Sequence, residues 1–127
     1  MFGGKDKVKM FLLYFVQQIV NSNWIPKMYI AMNRFKIVIG REEDFENIWR
    51  NRETHLDGVS GFKNFNLLKG ATTEECTLYA SHSEWDSKLD FETWTKSEAF
   101  RAAHKSGGQY REIYLGHPEF EGFEVLL

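Results

Sequence analysis

The chain has one cysteine, Cys76, and two prolines among its 127 residues. A lone cysteine excludes an internal disulfide, and no Cys/His spacing of the zinc kind accompanies it. Cys76 opens a run rich in Thr, Tyr and Trp and reads as a strand residue rather than a nucleophile. Basic charge is not in surplus either. Sixteen Lys and Arg against 18 Asp and Glu leave a net charge of −2, which argues against a nucleic-acid partner. No apolar run reaches the ~20 residues of a membrane span, so no membrane partner is expected and the expected location is cytoplasmic. Ser/His/Asp order and paired-carboxylate spacing are also missing. Gly107-Gly108 lacks the preceding strand that a nucleotide-binding glycine motif needs.

Aromatics are what the chain has in quantity: four Trp and eleven Phe, with aromatic residues at 16% of the total. In one domain of this size they imply a wide cavity, a large aromatic interface, or both. Residues 1–27 stand apart from the rest. Lys5, Lys7 and Lys9 precede the apolar Met10–Val16, and no small-x-small cleavage signal follows. Val8, Phe11, Leu12, Phe15 and Ile19 fall at helical spacing. This segment is read as a non-essential N-terminal extension, helical or upstream of a natural start at Met28, ahead of one domain over 28–127.

From Met28 the pattern is regular. Residues 28–39 form a β-branched and aromatic strand closed by Gly40. Its two faces carry Tyr29, Ala31, Asn33, Phe35, Ile37 and Ile39, and Ile30, Met32, Arg34, Lys36 and Val38. Acidic Glu42, Glu43 and Asp44 suit a helix N-terminus, and Phe45, Ile48, Trp49 and Arg52 continue it to about residue 54. Residues 62–69 make a second strand, ended by Gly70 and a turn through Thr72–Glu75. Residues 76–85 make a third. Ser87 with Asp90, and Thr95 with Glu98, form two capping boxes. They predict helices over 88–95 and 96–106 with an elbow at Thr95, the second stopped by Gly107-Gly108. Phe120–Leu127 is a fourth strand. The order β-α-β-β-α-β is that of the α+β, ferredoxin-like double βαβ. Its helix-free sheet face needs a cover, and a second copy of the chain is expected there.

Three residues invite a chemical reading, each beside a plainer one. Asn33 shares its strand face with Ala31, Phe35 and Ile37, so its amide needs a neighbouring backbone partner or a ligand. Trp94 fits a core as well as a site. His104, near a helix C-terminus, fits a surface cap. On one straight helix Trp94 and His104 would stand about 80° apart around the axis, whereas an elbow lets them converge. His55, His82 and His117 have weaker claims.

Asn33-Arg34-Phe35 leading to Gly40, with Phe91-x-x-Trp94-x-x-Ser97-x-x-Phe100-x-x-x-His104-Lys105, resembles the IsdG-type haem-degrading monooxygenases of the antibiotic-biosynthesis-monooxygenase superfamily. The resemblance covers about residues 28–127. From Gly107 through His117-Pro118 the chain follows no part of that pattern. The resemblance implies a homodimeric α+β barrel in which haem is substrate and cofactor. It implies an axial iron ligand at His104, a hydrogen bond from Asn33 to iron-bound dioxygen, and porphyrin ruffling by Trp94. It also implies O₂ and electrons from a reductase or small reductant, with no flavin. Phe35, Phe65 and Phe100 would line the macrocycle, and Arg34 or Arg101 would pair with propionates or stay solvated. Two rivals stand beside it. One is a cofactor-free monooxygenase of an aromatic polyketide or quinol, which needs no axial histidine. The other is a haem carrier without turnover, which needs neither Asn33 nor Trp94.

Overall fold

A computed structural model describes residues 4–21, 26–104 and 111–127, with side chains on 4–17, 26–104 and 111–127. Gly107-Gly108, expected to stop the last helix, lies outside them, as does Lys105.

The first element, α1, is a helix over Gly4–Asn21. Strand β1 (Tyr29–Val38) follows, then helix α2 (Glu42–Asn51), strands β2 (Phe62–Thr72) and β3 (Cys76–Trp85), helices α3 (Lys88–Thr95) and α4 (Glu98–His104), and strand β4 (Glu119–Glu124). A short 3-10 turn, Arg111–Ile113, precedes β4. The four strands form one sheet in the order β2-β3-β1-β4, with antiparallel pairing throughout. This is the ferredoxin-like arrangement the sequence predicts, two interleaved βαβ units with β1 and β3 central.

Alternation along β1 decides which face meets the helices. Tyr29, Ala31, Phe35 and Ile37 are buried, while Lys36 between them is exposed. The core on the helix side falls into two clusters. Phe35, Ile37, Phe45, Tyr79 and Ile113 form one, and Tyr29, Ala31, Leu56 and Trp85 form the other. β1 runs through both. Phe62 and Phe65 both pack against the second cluster although three residues apart. A register shift between Phe62 and Asn64 inserts the extra residue, which restores the inward direction.

Several expected boundaries move. Gly70 does not end β2 but lies inside it, beside a second register shift between Lys69 and Thr72. Without a side chain it tolerates the close carbonyl of Leu78. The turn is therefore Thr73–Glu75, where the Thr73 hydroxyl accepts from the amides of Glu75 and Cys76. α2 stops at Asn51, because Arg52 is already extended at φ −78°, ψ 132°. β4 ends three residues early, at Glu124.

The elbow also shifts. Ser87 caps α3 as expected, accepting from the Asp90 amide at 3.1 Å. The cap of α4 is Ser97, not Thr95. Ser97 Oγ accepts from the Phe100 amide at 3.1 Å and donates to the Trp94 carbonyl at 2.6 Å. Thr95 Oγ1 instead donates back to the Glu92 carbonyl at 2.7 Å, which leaves it inside α3. The bend thus falls at Lys96-Ser97, with one hydroxyl tying the end of one helix to the start of the next.

Candidate active site

Between the helix-side face of the sheet and α2, α3 and α4 lies a cavity of about 880 Å³. Its floor is the middle of the sheet: Ala31 and Asn33 from β1, with Ser81 and Ser83 from β3. These residues are cross-strand neighbours, Asn33 opposite Ser81 and Ala31 opposite Ser83. Trp49 and Phe65, stacked at 5.5 Å with 21° between planes, make one wall. Phe91, Trp94, Phe100 and His104 make another, and Tyr114 and His117 come from the segment before β4. That segment reaches the site because Leu115 N donates to the Lys36 carbonyl at 2.7 Å and Tyr114 bridges to Ile37.

Asn33, Trp94, His104, Phe35, Phe65 and Phe100 all line this one cavity. Trp94 and His104 converge through the elbow. Trp94 meets the Phe100 ring edge-on at 4.9 Å, His104 stacks on Phe100 at 4.1 Å, and Trp94 and His104 are 6.0 Å apart. His104 Nδ1 lies 2.8 Å from the Phe100 carbonyl oxygen. A carbonyl only accepts, so Nδ1 is the donor, and in the neutral ring the lone pair is on Nε2. A metal-ligating histidine is held in the same way, its other ring nitrogen donating to a backbone carbonyl. Trp94 is held by Trp85 at 5.4 Å, whose own indole N–H donates to Ser83 Oγ at 2.9 Å. Trp94 Nε1, by contrast, is buried without an acceptor. The Asn33 amide has no hydrogen-bond partner among the described residues. The neighbouring-strand partner of the plainer reading is therefore not what the fold provides.

The arginines divide differently from the sequence expectation. Arg34 points to the opposite sheet face and pairs with Glu121 at 3.0 Å. Arg101 pairs with Glu98 at 2.8 Å on the surface. The cavity wall instead carries Arg52 and Arg111, which sequence reading did not single out. Arg52 lies over the Trp49 ring at 4.3 Å. The signal for Arg52 was its helical spacing with Trp49; for Arg111 there was none. Ser81, 7% exposed and without a described partner, was also missed, because a serine on a strand face carries no spacing cue.

A sheet with helices on one face around a largely apolar, aromatic-lined cavity defines a ferredoxin-like α+β domain with a candidate ligand-binding chamber. The chain belongs to the antibiotic biosynthesis monooxygenase family, whose sequence profile matches residues 28–106, and so stands with the oxidoreductases. It is 40% identical over 70 residues to a haem-degrading monooxygenase of Shouchella clausii, spanning 55% of this chain and 64% of that protein. Against a haem-degrading monooxygenase of Bacillus thuringiensis it is 31% identical over 88 residues, spanning 69% of this chain and 81% of that one. The match thus spans just under two thirds of the first relative and about four fifths of the second. Among solved structures, MhuD is a haem-degrader of Mycobacterium tuberculosis with two haems bound in its active site. It superposes with a TM-score of 0.61 at 26% identity, covering 78% of this chain and 96% of that chain.

Proposed function

We propose that this protein is a haem-degrading monooxygenase that takes haem as substrate and cofactor, opens the porphyrin with O₂ and external electrons, and releases iron with a bilin-type product. One observation carries the reading. The His104 ring is fixed by its Nδ1–H bond to the Phe100 carbonyl and by stacking on Phe100, which leaves Nε2 free at the wall of an apolar chamber. The similarity to proteins named as haem-degrading supports the same reading.

The chain's own groups suit such a ligand. His104 stands at the wall of an aromatic-lined cavity, so iron would be held here as part of a macrocycle with one protein ligand. His104 Nε2 would be that ligand, with the Phe100 carbonyl orienting the ring through Nδ1. Bound haem supplies the redox centre at which O₂ is activated. Asn33, on the sheet floor, offers an unpaired amide N–H₂ to an oxygen atom in the chamber. Trp94, backed by Trp85 and Phe91 and tied at its carbonyl by Ser97, would present its indole against a bound macrocycle and supply bulk for distorting it. Phe35, Phe65 and Phe100 would shield the ligand from water, and Arg52 and Arg111, on the cavity wall, are the cations that could meet propionates. Electrons come from a reductase or small reductant, and no flavin is required. The outward sheet face carries half-buried Ile30, Met32 and Val38 with exposed Leu68 and Phe123. A second subunit packed there would complete a homodimeric barrel.

The test is haemin titration of the purified protein, followed by ascorbate in air. A Soret band should form and then decay with iron release. Asn33→Ala should still bind haemin but not turn it over. His104→Ala should lose the axial-ligand spectrum, and an unchanged spectrum would refute the assignment. Absence of any Soret shift would favour the cofactor-free monooxygenase, and a band stable to reductant would favour a carrier.

A further inference from the structure

The helix α1 presents an exposed surface over its described side chains. Every residue from Gly4 to Gln17 is exposed, and Val8 together with all of Met10–Val16 is at least 54% exposed. At about 100° per residue, seven consecutive apolar side chains wrap the helix almost twice around. A partner helix or a second copy covers one stripe, and a seam of that kind needs polar residues on the other side. Met10–Val16 has none. A surface apolar around its full circumference is satisfied only by a medium that surrounds it, and a lipid phase is such a medium. The apolar segment is roughly 10 Å long, a third of a ~30 Å hydrocarbon core. It can enter one leaflet but not cross, in keeping with the absence of any described helix long and apolar enough to span a membrane.

Charge selects the lipid. Lys5, Lys7 and Lys9 precede the apolar segment, opposed within the helix only by Asp6. Lysine stems reach from apolar depth to the phosphate layer, and an anionic surface attracts such a cluster. We infer that α1 docks this protein on anionic phospholipid bilayers, with Met10–Val16 inserted in one leaflet and Lys5, Lys7 and Lys9 on the headgroup phosphates. The inference departs from the sequence expectation of no membrane partner. It is independent of the reaction in the chamber.

Flotation of the full chain with phosphatidylcholine vesicles, with and without phosphatidylglycerol, tests it. Binding should be stronger on the anionic vesicles by on the order of ten- to a hundredfold and should weaken in high salt. The triple variant Lys5→Glu, Lys7→Glu, Lys9→Glu should lose the anionic preference. Phe11→Glu with Phe15→Glu should lose binding to both vesicles, while thermal unfolding of the domain stays unchanged. Failure of the wild type to float on anionic vesicles would overturn the inference. So would a concentration-dependent oligomer that forms without lipid and is abolished by the Phe11/Phe15 pair, since the occupant would then be a second copy.

Discussion

Trp94→Phe separates a core tryptophan from a working one. In a satisfied core, trimming the indole to a phenyl ring removes apolar contact and leaves a small void. At about 0.8 kcal/mol per buried carbon group the transfer loss is roughly 1 to 1.5 kcal/mol, and a residual cavity adds to it. Trp94 is not satisfied: its Nε1 is buried without an acceptor. An unpaired buried donor costs about 1 to 3 kcal/mol, and phenylalanine carries no such donor. The two effects oppose each other at similar size, so Trp94→Phe should change unfolding free energy by no more than about 1 kcal/mol. Function should behave otherwise, because the phenyl ring is smaller and its contacts to Trp85, Phe100 and His104 loosen. Haemin should still bind through His104, while turnover with ascorbate falls at least about tenfold, the equivalent of ~1.4 kcal/mol on the barrier. Urea unfolding and single-turnover Soret decay, measured on the same preparation, check both halves. A loss of about 3 kcal/mol in stability would show a structural Trp94, and undiminished turnover would show that its bulk does nothing to the substrate.

Three further outcomes follow from the fold itself. Tyr79 is buried, and its hydroxyl donates to Glu46 Oε2 at 2.6 Å, so Tyr79→Phe should cost about 1 to 2 kcal/mol, discounted for the partly open Glu46, with haemin binding unchanged. That same bond, with Lys69 and Arg50 nearby, holds the Glu46 carboxyl below its ordinary 4.5, while burial and Glu46 push the Tyr79 phenol up. A depressed carboxylate stabilises the fold fully above the ordinary value, and the contribution drains as pH falls through the lowered one. Acid unfolding curves below about pH 4.5 should therefore be shallower in Tyr79→Phe than in wild type, and identical curves would refute the linkage. Gly61 sits at φ +79° with its missing Cβ directed into the Asp90 carboxyl group. Gly61→Ala should cost about 2 to 3 kcal/mol by strain and by displacing Asp90 from the α3 cap, measured as a lower urea midpoint.

The elements were legible where local chemistry is decisive. β3 and α3 fall where Cys76–Trp85 and the Ser87 cap place them, and the order of elements specifies the sheet. What misled was competition between equivalent local signals. Thr95 and Ser97 both precede an acceptable helix start, and only the packed elbow, where Ser97 serves Trp94 and Phe100 together, selects Ser97. Gly70 looked like a stop because glycine usually is one, yet here it answers a close neighbouring carbonyl. In the candidate site, spacing alone leaves Asn33, Trp94 and His104 with plainer readings, and only the family resemblance singles them out. Arg52, Arg111 and Ser81 were not legible, because their roles depend on which way a loop returns and on which residue lies across the sheet.

The polar floor explains why there is a chamber at all. On the helix-side face of β1, Ala31 belongs to one apolar cluster and Phe35 to the other, with Asn33 between them. On β3 the same break recurs: Tyr79 lies in the first cluster and Trp85 in the second, with Ser81 and Ser83 between. Large aliphatic residues at 33 and 81 would join the clusters into one continuous core and fill the space above the sheet. Small polar residues directly opposite each other keep the halves apart and leave their hydrogen-bonding groups to whatever enters. The stable half is closed by satisfied bonds, Tyr79 to Glu46 and Thr77 to Glu42. On this face the buried indole N–H groups of Trp49 and Trp94 have no described acceptor, and both line the cavity beside Asn33. Polar groups left open along this boundary are available to hydrogen-bond a ligand that enters the cavity.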